Sequence, residues 1–207
     1  MSPYDRIRRA IIDGTFQPGV LLTESALGAW VGTSRTPVRE ALGRLEQDGL
    51  ISRTGRGIAV IDRTPEEILD VYEAWIALEV TAARVAAVRH GLLDRGRLER
   101  LTEASERVDR RDARAMVDVG SAFHRAVWQA SCNRSLIDLL ERLHPQLLRH
   151  AVTASAAPAR WDEALAEHRA MVVAITDRDP ERAGEATERH VRAARDVHLA
   201  MWEQGST

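Results

Sequence analysis

The sequence predicts a mainly α fold in two parts, a short unit of helices with a small β-hairpin followed by an all-α helical bundle. Three observations carry this. Up to Asp62 the chain mixes helical periodicity with short β-branched stretches and frequent glycine. Beyond Pro65 it becomes almost uninterrupted helical pattern with little glycine. Between them, Thr64-Pro65-Glu66-Glu67 is a capping box with proline at the first helical position. The two domains are therefore expected at 1–63 and 64–207. Charge shifts at the same point: residues 1–63 hold nine Arg and seven acids, and 64–207 hold twenty Arg and twenty-four acids.

In the first part, Ile7, Ala10 and Ile11 recur at helical spacing and stop at Gly14. Phe16-Gln17-Pro18-Gly19 reads as a turn, and Val20-Leu21-Leu22 as a very short strand. Thr23 then caps a helix bearing Ala26, Leu27, Trp30 and Val31, closed by Gly32. A third helix opens after Gly32-Thr33-Ser34, with Pro37 in its first turn, and buries Val38, Leu42 and Leu45. Leu50–Arg53 and Ile58–Ile61 read as two strands around Thr54-Gly55-Arg56-Gly57. Helix, helix-turn-helix and hairpin in that order make a winged helix-turn-helix.

A recognition helix needs cationic and hydroxyl side chains at the end that enters the major groove, and Ser34, Arg35, Thr36 and Arg39 stand there. Arg35 and Arg39 are four apart and repel weakly, and neither has an acid three or four residues further on. A purely structural helix face does not explain them, so DNA binding is the expectation, with a protein-binding winged helix as the alternative. Arg44 differs, because Glu40 precedes it by four residues, and an ion pair is expected there. The wing tip Gly55-Arg56-Gly57 offers one arginine to a phosphate or the minor groove.

These residues also carry a resemblance. Ile11–Gly14, Pro18-Gly19, Thr33-Ser34-Arg35-Thr36-Pro37-Val38-Arg39-Glu40-Ala41-Leu42 and Leu45–Leu50 resemble the GntR family of bacterial transcriptional regulators, over essentially all of 1–62. The resemblance implies that Arg35, Thr36, Arg39, Arg56 and Gly57 contact an operator.

The second part divides into about six helical segments, with breaks near Gly91, Arg111-Asp112, Cys132-Asn133, Ala156-Ala157-Pro158 and Arg178-Asp179-Pro180. Asp179 followed by Pro180 is a start signal for the last helix, and Pro145 predicts a kink. All seven histidines lie in this part. His124, His168 and His190 each share a helix face with apolar residues, and so does His144 beside Leu140 and Leu148. Periodicity alone does not separate metal ligands from core histidines, although converging imidazoles are what zinc or nickel requires.

Ala122–Ala126, Ala130–Asn133, Glu167–Ala170 and Arg189–Val191 resemble the FCD effector domain of the FadR-type GntR subfamily, over about 68–200. That implies an all-helical bundle binding a small organic molecule, usually an acid, often through a divalent metal held by one Asp and three His. His124, His168 and His190 match the histidines. The aspartate position, four residues before the first histidine, is Gly120 here. Trp75 stands where many relatives carry a carboxylate-binding arginine. The departures imply a pocket of altered charge and volume, open to a bulkier or less acidic effector. Trp75 and Asn133 are its candidate lining residues, with Asn133 equally suited to capping a helix.

Composition bounds the rest. The 207 residues are 44% hydrophobic and 29% charged, with net charge −2, so a folded core is expected and no global positive field. Every one of the 29 basic residues is Arg, which we read as codon bias. A lone Cys132, no signal-peptide core and no membrane-length apolar run lead to the expectation of a cytoplasmic protein. The expected function is a homodimeric, ligand-responsive repressor reading a short palindrome. A metal-dependent hydrolase with Glu167 as base is the competing reading. Against it, Glu167 and His168 are adjacent on a helix, about 100° apart, and cannot both face one metal. A third reading makes the histidines only core.

Overall fold

The computed structural model describes residues 1–55, 57–154 and 158–205. The elements run α1 Pro3–Ile12, β1 Leu21–Leu22, α2 Glu24–Val31, α3 Arg35–Gln47, β2 Ile51–Thr54, β3 Gly57–Val60, α4 Pro65–Arg89, α5 Leu92–Arg107, α6 Ala113–Ala130, α7 Arg134–Ala154, α8 Pro158–Thr176 and α9 Pro180–Gly205. They form two compact units. The first is Met1–Ile68 with Arg142–Arg149, and the second is Leu69–Glu141 with His150–Thr207.

In the first unit, Ser2 and Asp5 form a reciprocal capping box at the start of α1. Thr23 Oγ1 accepts from Ala26 N at 3.1 Å and starts α2. Gly32 closes α2 in the left-handed region, φ 69°, which turns the chain into α3. Ile7, Ile11, Leu27, Val38, Leu42 and Ile51 meet in one core. Burying each such side chain contributes roughly 1.5–3 kcal/mol. The strands are antiparallel in the order β1-β3-β2. Thr54 pairs with Gly57, so the ladder extends one pair further toward the tip than the sequence pattern implies. Gly57 has φ 140°, and a Cβ there would sit 3.2 Å from Leu22 O, so glycine is a geometric requirement. Arg63 Nη2 donates to Gly49 O at 3.1 Å and Gln146 Oε1 at 2.7 Å, holding the α7 segment of this unit.

The capping box at α4, which lies in the first unit, forms as expected, with Thr64 N donating to Glu67 Oε2 at 2.9 Å and Glu67 N to Thr64 Oγ1 at 3.3 Å. The regular elements of the second unit are all helices among the described residues. Asp112 caps α6, and Asn133 Oδ1 accepts from Leu136 N at 3.3 Å to cap α7. α7 runs from Arg134 to Ala154 with Pro145 inside it. The break expected at Ala156-Ala157 lies outside the described residues. Asp179 Oδ1 accepts from Arg182 N at 3.0 Å, and Pro180 opens α9. Asp179→Ala is expected to lower stability by about 1 kcal/mol, read as a reduced Tm, because one backbone donor loses its acceptor. α5 packs on α6 and α8, and α8 on α9, around fully buried Phe123, Trp128 and Leu98. No helix among the described residues is long and apolar enough to cross a membrane.

Candidate nucleic-acid interface and metal centre

α3 presents Ser34, Arg35, Thr36 and Arg39 exposed at its N-terminal end. Ser34 is the N-cap residue, yet its side chain makes no capping hydrogen bond, which leaves the hydroxyl for a ligand. Arg35 and Thr36 occupy the first two helical positions, where free backbone N–H groups favour an anion. Arg39 has an acid partner that spacing within α3 did not reveal. Its Nε lies 3.2 Å from Glu24 Oε1 and its Nη2 2.9 Å from Glu24 Oε2, across from α2. The expected Arg44–Glu40 pair is replaced by another contact. The Arg44 guanidinium lies 4.1 Å from the Tyr4 ring centroid, and Tyr4 Oη donates to Asp48 Oδ2 at 2.5 Å. An aromatic face outcompetes a solvated i,i+4 pair worth only a few tenths of a kcal/mol. Burial is the first cause that pushes the Tyr4 hydroxyl up to about 12, followed by Asp48. Arg56 lies outside the described residues.

In the second unit, α6, α8 and α9 bring His124, His168 and His190 together. His190 Nε2 lies 3.2 Å from His124 Nε2 and 3.3 Å from His168 Nε2. Phe123 stacks on His168 with centroids 4.0 Å apart and planes 16° apart. Burial holds His168 and His190 well below the usual imidazole range, with neighbouring histidines and Arg160 adding to it. Both rings are therefore neutral near pH 7, the form that ligates metal.

Two carboxylates stand behind this cluster. Glu167 Oε2 is 2.7 Å from His190 Nδ1 and accepts from Arg160 Nη2 at 2.8 Å. A carboxylate only accepts, so His190 carries its proton on Nδ1 and turns the Nε2 lone pair inward. Glu79, on α4, is fully buried, with Oε1 3.1 Å from His124 Nδ1. That approach is not a well-aligned hydrogen bond, and neither Glu79 oxygen has a hydrogen-bond partner among the described residues. A buried carboxyl group so placed, with its oxygens unpartnered, leaves polar atoms that a ligand at this site could satisfy.

The donor set fits a divalent ion. Tetrahedral nitrogen ligands at about 2.0–2.1 Å stand about 3.3–3.4 Å apart, close to the two Nε2 separations observed. Gly120 leaves open space, with nothing within 4 Å of a Cβ built there. Glu167 is committed to the outer nitrogen of His190 and does not face the inner side as a base would. Trp75 is buried, edge-on to Trp128 at 5.4 Å and 6.5 Å from His124. Periodicity set the three histidines on apolar faces without separating them from His144, and Glu79, Glu167 and Arg160 as their supports carried no such signal. Glu79 and Glu167 reach their histidines from separate helices, and Arg160 meets Glu167 seven residues along α8.

Residues 3–60 match the family described as bacterial regulatory proteins, gntR family, and residues 70–193 match the FCD domain. A probable D-xylose utilization operon transcriptional repressor from Paenarthrobacter nicotinovorans is 34% identical over 193 residues, covering 91% of this chain and 84% of that protein. The HTH-type transcriptional repressor GlaR of Escherichia coli (strain K12) is 26% identical, covering 92% of this chain and 91% of its own. Among solved structures, E. coli McbR/YncC superposes with a TM-score of 0.83 at 20% identity, covering 97% of this chain and 96% of the other, a likeness of fold.

Proposed function

The chain belongs to the gntR family of bacterial regulatory proteins and carries an FCD domain, so it is a DNA-binding transcriptional regulator and not an enzyme; from this premise we propose that it is a cytoplasmic, homodimeric repressor whose operator affinity is set by a small organic molecule at a three-histidine metal centre. Residues 1–63 act as the DNA-binding domain and 64–207 as the effector-binding and dimerisation domain. Two copies of α3 read the halves of a short palindrome. Ser34, Arg35, Thr36 and Arg39 make the major-groove contacts, and Arg56 and Gly57 bring the wing to the backbone.

The observation that carries the metal reading is the convergence of three Nε2 atoms from three helices, backed by Glu79 and Glu167. His124, His168 and His190 would hold zinc or nickel, and a bound divalent ion would supply a Lewis-acidic anchor for an oxygen ligand. This chain's residues orient that anchor. Glu167 and Arg160 hold the His190 ring, Phe123 holds His168, and Trp75 shields the His124 side. With no acid at position 120, the chain would offer an ion three imidazoles only, which favours an effector that brings its own oxygens. Asn133 contributes to that pocket through Nδ2, since Oδ1 caps α7. Effector binding biases one of two arrangements of the dimer and so alters operator affinity.

The test titrates a duplex selected from a random library with metal-loaded protein, in the presence of metal-chelating carboxylates. The expected result is a shift in operator affinity that disappears when the metal is stripped. A shift that persists in stripped protein overturns the metal-centred reading. Glu167→Gln is expected to weaken metal affinity by about 10–100-fold, measured by chelator competition, because the outer carboxylate no longer fixes the His190 ring.

A further inference from the structure

We infer that Glu24 is a positioning residue for operator recognition, holding the Arg39 guanidinium edge-on so that its outer edge reads one guanine in each half-site. The inference rests on the reading that Arg39 faces DNA. Glu24 is the first residue of α2, and Arg39 lies one turn into α3, so the pair bridges the two helices of the helix-turn-helix. Its geometry is specific. Glu24 takes one hydrogen from Nε and one from Nη2 of Arg39, using both carboxylate oxygens.

An arginine carries five N–H donors in a fixed plane. Two are spent on Glu24, and three remain, two on Nη1 and one on Nη2. One from each nitrogen lies along the outer edge, the fork that matches guanine O6 and N7. The contact with Glu24 thus need not break for the contact with a base to form. The Arg39 side chain is 66% exposed and that of Glu24 is 25% exposed, so the pair stands at the surface. Exposed ion pairs contribute little to fold stability. Its effect instead falls on arginine itself, whose long side chain would otherwise sample many rotamers and lose that freedom on binding.

The charge distribution points the same way. Arg39, Arg53 and Arg35 all act on the Glu24 carboxyl and hold it below the usual glutamate range, the hydrogen bond from Arg39 foremost. A carboxylate within a basic, DNA-facing group opposes phosphate binding of every sequence alike. Keeping it there costs general affinity and gains discrimination.

Duplexes selected from a random library with the wild-type chain supply the operator, and each half-site position is then varied singly. Glu24→Gln is expected to bind random-sequence duplex several-fold more tightly. At one guanine position per half-site, its preference should fall by about fivefold to a hundredfold, the range one bidentate contact commands. In an Arg39→Ala background, Glu24→Gln should leave the position profile unchanged, because its effect on readout passes through Arg39. A thermal melt equal to wild type keeps loss of folding apart from loss of readout. If Arg39→Ala alters the profile and Glu24→Gln does not, the positioning role is overturned while the reading of Arg39 stands. If Arg39→Ala leaves the profile as in wild type, the reading of Arg39 fails and the inference fails with it. Equal changes from Glu24→Gln with and without Arg39 also overturn it.

Discussion

His190→Ala is expected to release the metal, lowering affinity by more than the roughly 10–100-fold that an outer-shell change costs. His190 is the centre of the cluster, since its Nε2 is 3.2 Å from His124 and 3.3 Å from His168. Its removal leaves two imidazoles from α6 and α8. It also strands Glu167, whose carboxylate would keep only Arg160. The measurement is chelator competition on purified protein, with far-UV circular dichroism showing that the helices persist. Operator binding in the absence of effector should survive, because the groups proposed to face DNA lie in α3 and the wing. The response to a chelating carboxylate should vanish. Retention of both metal and response would remove His190 from the ligand set.

Arg35→Ala is expected to weaken specific operator binding by about 1–3 kcal/mol if the side chain reads a base, with the loss concentrated at one position per half-site. Arg35 is the first helical residue of α3 and is exposed. Unlike Arg39, it has no ion-pair partner among the described residues. The two arginines are thus presented differently, one held by Glu24 and the other left to the groove. A uniform loss across sequences, with a salt slope reduced by about one, would make Arg35 a phosphate contact instead.

Local chemistry made much of this fold legible. Thr64, Asp179 and Thr23 announce helix starts, because a side-chain oxygen must satisfy N–H groups that the helix leaves open. The three histidines stood out by their apolar helix faces and by resemblance. Their supports did not. Glu79 reaches His124 from another helix, and Glu167 reaches His190 across 23 positions, so no spacing rule connects them. The same limit hid the Glu24–Arg39 pair, fifteen residues apart. Arg44 shows the converse, where a favourable i,i+4 spacing to Glu40 was overridden by the Tyr4 ring. Within-helix rules rank exposed pairs that are weak, and a tertiary contact displaces them at small cost.

Gly120 is the departure that most shapes the proposed effector site. Space is open around it, so the absent acid follows from residue identity and not from crowding. The buried Glu79 side chain stands 3.1 Å from the outer nitrogen of His124 and leaves the inner face to the imidazoles.

The most direct test of the metal centre is the metal content of tag-free protein, measured by mass spectrometry after incubation with zinc or nickel and removal of excess ion. A His124→Ala/His168→Ala variant serves as the control. About one ion per chain in the wild type, lost in the variant, is the predicted result. No ion in the wild type, or equal loading of the variant, would contradict it and return the three histidines to the helical core.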